Sequence, residues 1–204
     1  MELNTYPLVC TRGVVLYPNQ EIVIDVGRDT SVHAVENAQD NYDKKICLFS
    51  QKELEQENPG KEDIYSVGTL CEVRHIRRFD NFLRVKFRGI KRVKLNNWIN
   101  GSLSDLAEVE ILESEKQDAV EEEALIRMIA DELDRMQGQD RFVTKEIVME
   151  ISKGMGGEFL SDKAVQGLPL DIERKQQYLE TLGVNDRLMM LLQDMAKEKK
   201  MSEV

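Results

Sequence analysis

The chain has 204 residues, 41% of them hydrophobic, enough to bury a core in one domain or in each of two small ones. Its apolar runs stop at four or five residues and Met1-Glu2-Leu3-Asn4 lacks the basic start and apolar core of an export signal, so no membrane span is expected and the cytosol is the expected compartment. The net charge of −10 is uneven: residues 1–100 carry 15 Lys/Arg against 14 Asp/Glu and residues 101–204 carry 13 against 24, which disfavours a phosphate-rich partner for the chain as a whole.

From the start, short apolar runs alternate with turn residues. The run ending at Cys10 is broken by Thr11-Arg12-Gly13, the next ends at Tyr17-Pro18-Asn19, and Ile22-Val23-Ile24-Asp25-Val26 runs into Gly27-Arg28-Asp29, a pattern of strands in a β-rich domain. Asp29 or Thr30 can cap a helix over 31–38 that places Val32, Val35 and Ala38 on one side. A strand over 67–76 leads through Phe79-Asp80-Asn81-Phe82, where Asn81 can take a positive φ, into Leu83-Arg84-Val85-Lys86-Phe87-Arg88. Its odd positions are apolar and its even ones cationic, so one face meets a core, with Phe87 in it, and the other meets water. Gly89 permits a bend before the alternation resumes over 90–95, and 106–112 makes a further strand.

Past that point the period changes. Leu125, Met128, Ile129, Leu133 and Met136 share one stripe of a helix over 119–137, with Glu121 to Glu123 in its first turn and Gly138 as its C-cap. Shorter helices are expected over 142–153 and 158–166. Asp171 can cap a helix that runs to Leu182 and stops at Gly183, and Asn185 can cap a last one carrying Leu188, Leu191, Leu192 and Met195, with no stop signal before Val204. Nine of twelve aromatics precede residue 100 and eight of nine methionines follow it, in line with strands first and helices after. The fold class is therefore α+β: a β-rich part with one helix over 1–115 and a helical part over 116–204.

Catalytic signatures are missing. Gly154-Met155-Gly156-Gly157 lacks the lysine of a phosphate-binding loop, His33 and His75 have no ligand or triad partners at useful spacing, and Cys10, Cys47 and Cys71 sit among apolar residues as buried, reduced thiols. No catalytic, cofactor or metal site is expected in these 204 residues. Between Arg74 and Lys94 stand nine Lys/Arg against Asp80 alone, interleaved with Phe79, Phe82 and Phe87, a composition that suits single-stranded nucleic acid. The same residues read equally as the watered face of a half-buried sheet, offset by the acidic stretch 108–123, and nucleic acid is disfavoured. Phe79 and Phe82 flank a hairpin tip, where they either staple the turn or offer an exposed contact.

These residues resemble a known family. Arg12-Gly13-Val14-Val15-Leu16-Tyr17-Pro18, Val26-Gly27-Arg28 with Ser31, Ala34 and Glu36, Asp63-Ile64-Tyr65-Ser66-Val67-Gly68-Thr69, Arg84-Val85 with Gly89-Ile90-Lys91-Arg92, Leu168-Pro169-Leu170 and Val184-Asn185-Asp186-Arg187-Leu188 are similar, in order, to motifs of the amino-terminal, substrate-binding domain of bacterial Lon, the ATP-dependent serine protease. Cys10-Thr11, Asn81 and Arg88 depart from its usual residues.

The resemblance implies a PUA-like twisted sheet or pseudo-barrel followed by a helical bundle. It also implies a cytoplasmic homohexameric parent whose ATP, Mg and Ser-Lys dyad lie elsewhere in its chain, and clients that are unfolded, damaged or tagged proteins. Candidate client contacts are Phe79 and Phe82, Tyr17 and Pro18 at the first turn, and Met189, Met190 and Met195 on the last helix, whose thioethers adapt to varied partners or else fill the bundle core. Gly27 is expected to serve backbone conformation, and Arg12 and Arg28 to pair polar groups at strand ends. Two other readings stay open: a free-standing LON-domain binding or adaptor protein without an ATPase, and a PUA-like RNA binder.

Overall fold

The structure, a computed structural model, describes residues 3–136 and 145–202. Within them, one compact unit runs to Glu113 and includes Asp171–Leu179, and a second takes Ser114–Leu170 and the chain from Glu180 onward.

In the first unit, six strands, β1 (Leu3–Thr11), β2 (Glu21–Val26), β3 (Lys45–Ser50), β4 (Val67–Arg78), β5 (Leu83–Ile99) and β6 (Leu106–Leu112), form one sheet in the order β2-β5-β4-β3-β1-β6. β6 also pairs with β5, which closes five strands into a barrel and leaves β2 attached along one edge. β1 and β3 run parallel and the other pairs antiparallel. The closure depends on the length of β5: its Leu83–Arg88 half pairs with β2 and its Arg92–Ile99 half with β6. The bend between them sits at Gly89, whose amide donates to Gln20 O at 2.9 Å while its carbonyl accepts from Asn19 N at 2.9 Å.

A bulge at this bend changes which residues face inward. Cys71 pairs with Gly89 but Leu70 pairs with Lys91, so Ile90 is an extra residue and the parity of β5 reverses beyond it. Val85 and Phe87 join the core under helix α1 (Asp29–Asn41), whereas Val93 and Leu95 join the core on the opposite side. Arg92, expected on the watered face, is thereby turned inward and is 2% exposed.

Four sequence expectations are corrected here. The apolar run ending at Tyr17 is not a strand: it is buried irregular chain that turns at Asn19, which takes a left-handed φ (64°), while Asn81 does not. β3 was not expected; Ile46 and Leu48 pack under α1 while Cys47 and Phe49 pack on the other face, so it shows no alternation. The N-cap of α1 is Arg28 rather than Asp29 or Thr30. Gly27 has an ordinary φ, and an added Cβ would find its nearest neighbours at 3.8 Å, so nothing there requires glycine.

The helix α5 (Ile172–Glu180) is capped by Asp171, whose Oδ1 accepts from Arg174 N at 2.7 Å, as its sequence suggests. Residues 171–179, which the sequence division places among the helices, pack with the sheet. The Tyr17 hydroxyl donates to Lys175 O at 2.7 Å and the Gln176 amide to Val67 O at 2.8 Å.

The second unit holds α2 (Ala119–Met136), α3 (Lys145–Ser152), α4 (Gly157–Gln166) and α6 (Val184–Ser202). Leu125, Ile129, Leu133 and Met136 of α2 are buried, as are Leu160 and Val165 of α4 and Leu188, Leu191 and Met195 of α6. Gly138 and residues 142–144 lie outside the described residues. Asp118 caps α2, its Oδ1 accepting from Glu121 N at 2.7 Å. The cap of α6 comes from a distance: Gln117 Oε1 accepts from Asp186 N at 3.1 Å, while Asn185, expected to cap, donates instead to Asp118 O at 2.9 Å. Arg187 is fully buried and donates to Ser161 Oγ, Thr181 O and Ser114 Oγ at 3.0–3.2 Å, the last two at 3.0 Å.

All three thiols are free and buried. Burial pushes the Cys10 thiol up to about 12 from its ordinary 9.0, against the pull of Arg28, and raises Cys47 and Cys71 as well. A folded-state pKa above the unfolded one contributes stability that is full below about pH 9 and is lost as the pH climbs toward 12. Iodoacetamide at pH 8 is therefore expected to label the native chain far more slowly than the chain in urea; equal rates would show the thiols to be accessible.

Candidate functional site

The β4–β5 hairpin closes with Phe79 N donating to Phe82 O at 2.9 Å. The two rings stack across the turn, centroids 4.6 Å apart and planes within 11°. The stack staples the tip, and Phe79 keeps 36% of its surface exposed. Guanidinium groups cover the rings: Arg77 lies 5.0 Å and Arg84 5.3 Å from the Phe79 centroid, and Arg84 lies 5.7 Å from that of Phe82. The result is an apolar surface with cationic edges.

The other expected contacts divide. Tyr17 and Pro18 are buried, since the chain between β1 and β2 is pressed against Gly89 and the Tyr17 hydroxyl is used on α5; they shape the sheet and offer no outer surface. Met195 is 1% exposed and belongs to the helical core, whereas Met189 is 42% exposed and Met190 is half-buried beside the Thr181 hydroxyl. Phe87 is fully buried, as its parity requires.

The cationic stripe is largely neutralised. At least six of the nine Lys/Arg between Arg74 and Lys94 pair with carboxylates: Arg74 with Glu72, Arg78 with Glu36, Arg84 with Asp25, Lys86 and Arg88 with Glu21, and Lys91 with Glu113. The acidic stretch 108–123 thus supplies Glu113, and the other partners come from β2, α1 and β4. Arg84 grips Asp25 with two bonds of 2.7 and 2.9 Å, which holds the Asp25 carboxyl below its usual range; Lys86 does the same to Glu21. These carboxylates therefore keep their charge at mildly acidic pH and release their cations only when the pH falls through their lowered pKa values.

Beside β2 lies a cleft of about 370 Å³ that sequence reasoning did not find. Val9, Cys10, Thr11 and Arg12 line one side and Ile24, Asp25, Gly27 and Arg28 the other. Arg28 performs the polar pairing expected of it: Nη2 donates to Cys10 O at 2.6 Å and to Gln51 Oε1 at 2.7 Å, and Nη1 to Glu57 O at 3.2 Å. Its signal in sequence was the Gly27-Arg28 pair, which marks the position but not the cleft.

A mixed, barrel-closing sheet carrying one helix, followed by a helical bundle, defines the class to which this α+β chain belongs: its fold is that of solved Lon amino-terminal domains. It superposes on the N-terminal domain of Mycobacterium avium complex Lon protease with a TM-score of 0.76 at 19% identity, covering 95% of this chain and 98% of that one. For a Lon N-terminal domain protein from Xanthomonas campestris the TM-score is 0.64 at 16% identity, covering 93% and 97%. The sequence profile of the ATP-dependent protease La (LON) substrate-binding domain matches residues 5–197, and the chain belongs to that family. Among curated relatives it is 31% identical over 199 residues to the Lon protease of Brevibacillus choshinensis, covering 97% of this chain and 25% of that protein. It is 33% identical over 207 residues to the Lon protease of Syntrophomonas wolfei, covering 100% and 25%. The chain thus spans about a quarter of the length of the curated relatives it matches.

Proposed function

We propose that this chain is the client-recognition and assembly domain of a cytoplasmic, ATP-dependent Lon-type protease, and that it holds exposed apolar segments of misfolded, damaged or short-lived proteins at the β4–β5 hairpin tip. The observation that carries this reading is the Phe79–Phe82 stack, exposed at its outer ring and edged by Arg77 and Arg84. Rigid aromatic surface binds apolar segments with little loss of side-chain freedom, and guanidinium groups over the rings limit association of the tips with one another.

Each contact is weak, and a homohexamer presenting several tips raises the effective affinity through avidity. Met189 supplies a second exposed, adaptable apolar group. ATP with Mg²⁺, and a Ser-Lys dyad for peptide hydrolysis, are assigned to the length of the relatives outside this chain. Its own Gly154-Met155-Gly156-Gly157 cluster lacks the lysine that a phosphate loop needs.

The test joins Phe79→Ala and Phe82→Ala in one variant and follows its binding to a reduced, carboxymethylated protein by fluorescence anisotropy. Affinity is expected to fall about tenfold, some 1.4 kcal/mol, with the melting midpoint little changed. Unchanged affinity in a folded variant would remove the hairpin from client binding.

A further inference from the structure

The cleft beside β2 joins two strand edges to two cations of unusual situation. β2 pairs with β5 along one edge, and its other edge has no strand partner among the described residues. β1 loses β6 after Pro7; beyond it the Leu8 amide still reaches Asp105 O at 3.4 Å, while β3 continues along the opposite edge to Thr11. The cleft lies between these two edges.

Arg12 and Arg28 both line it. All the hydrogen bonds of Arg28 go to neutral oxygens, and Arg12, exposed, makes one long bond of 3.4 Å to Gln56 O. Neither has an ion-pair partner among the described residues, in contrast to the stripe on β4 and β5, where carboxylates meet at least six of nine cations. The one carboxylate in the lining, Asp25, already has both oxygens on Arg84. Burial works against the charge of Arg28, and the nearby Arg12 charge adds repulsion to it. An anionic group placed between them would relieve that repulsion and replace water with charge-assisted hydrogen bonds.

We infer that this cleft takes an extended acidic peptide segment, its main chain against the free edge of β2 and its carboxylates against Arg12 and Arg28. Strand addition supplies main-chain hydrogen bonds, and alternate residues of an extended peptide, roughly 6.8 Å apart, present their side chains to the same face. Acidic residues in alternation therefore give the peptide one carboxylate-bearing edge within reach of the two cations that flank the cleft. The inference rests on the client-recognition reading for the source of the peptide, but it concerns a different surface and a different chemistry from the hairpin tip.

The test uses a fluorescent octapeptide of alternating Thr and Glu, the same peptide with Gln or with Lys for Glu, and a Glu peptide N-methylated at alternate amides. The Glu peptide is expected to bind the chain about tenfold more tightly than the Gln peptide and to weaken as salt is added. Arg12→Glu should reverse the order in favour of the Lys peptide, which a merely misfolded variant would not do. N-methylation should abolish binding, and the Phe79→Ala, Phe82→Ala variant should bind the Glu peptide as the parent does.

Equal binding of the Glu and Gln peptides, or full affinity of Arg12→Glu for the Glu peptide, would overturn the carboxylate site, and full binding of the N-methylated peptide would overturn strand addition. Failure of the hairpin reading shows separately, as unchanged binding of an unfolded protein by the hairpin variant.

Discussion

Gly89→Ala is expected to destabilise the β unit strongly, while Gly27→Ala leaves its stability nearly unchanged. At Gly89 an added Cβ would stand 2.2 Å from Tyr17 O, 2.9 Å from Tyr17 C and 3.2 Å from Pro18 Cα, all main-chain atoms. No side chain can swing away to make room. The segment around Tyr17 is held in place by Asn19 N and Gln20 O on Gly89 itself and by the Tyr17 hydroxyl on Lys175 O. Relief would require breaking the bend through which β5 passes from β2 to β6, and with it the closure of the barrel.

The expected loss is about 3–5 kcal/mol, at the upper end for overpacking, and a fall of about 10 °C in the melting midpoint. Trp98, the single tryptophan, lies half-buried in β5, so its fluorescence follows this unit. At Gly27 the 3.8 Å neighbours are at ordinary contact distance and φ is ordinary, so alanine there should change stability by less than about 1 kcal/mol, in the stabilising direction if anything. A Gly89→Ala chain that melts with the parent would mean that the Tyr17 turn can lift from the sheet at little cost.

That contrast shows what local sequence carries and what it does not. Both glycines end apolar alternations and look alike in sequence; the difference between them is a main-chain approach from residues some seventy positions away. The same limit explains β3 and the Tyr17 run. Lys45-Ile46-Cys47-Leu48-Phe49-Ser50 packs on both faces and so has no period of two to read, whereas Val14-Val15-Leu16-Tyr17 is apolar because it is buried, not because it is extended. Where one face meets water the pattern was legible, as in Leu83–Arg88 and in α2, with Leu125, Ile129 and Leu133 inward.

The hairpin tip was legible too, because two aromatics flanking a turn have few places to go. The cleft beside β2 was not, since it depends on which cations find carboxylates. Arg84 finds Asp25 across 59 positions and Arg78 finds Glu36 across 42, while Arg12 and Arg28 find none among the described residues; the charges can be counted in sequence, but their pairing follows from register.

Arg92→Met is expected to release α5 from the sheet. The bulge at Ile90 turns Arg92 inward, where Nε donates to Leu179 O at 3.0 Å and Nη2 to Tyr178 O at 3.4 Å. These carbonyls belong to the last turn of α5, which has no further helical amides to satisfy it and carries the negative end of the helix dipole. Methionine fills a similar volume but has no donor, so the carbonyls would be left in a place from which water is excluded.

Loss of hydrogen bonds to a buried charged group is expected to cost about 3–5 kcal/mol. Arg92→Lys should recover part of it, because an ammonium keeps the charge but cannot reach two carbonyls in the fixed fork of a guanidinium. Hydrogen exchange separates this effect from a general loss of stability: the amides of 171–179 should exchange faster in Arg92→Met under conditions where those of β4 and β5 remain protected. If 171–179 exchange at the parental rate, then Tyr17 on Lys175 O and Gln176 on Val67 O are sufficient to seat α5, and the buried guanidinium contributes little beyond its packing.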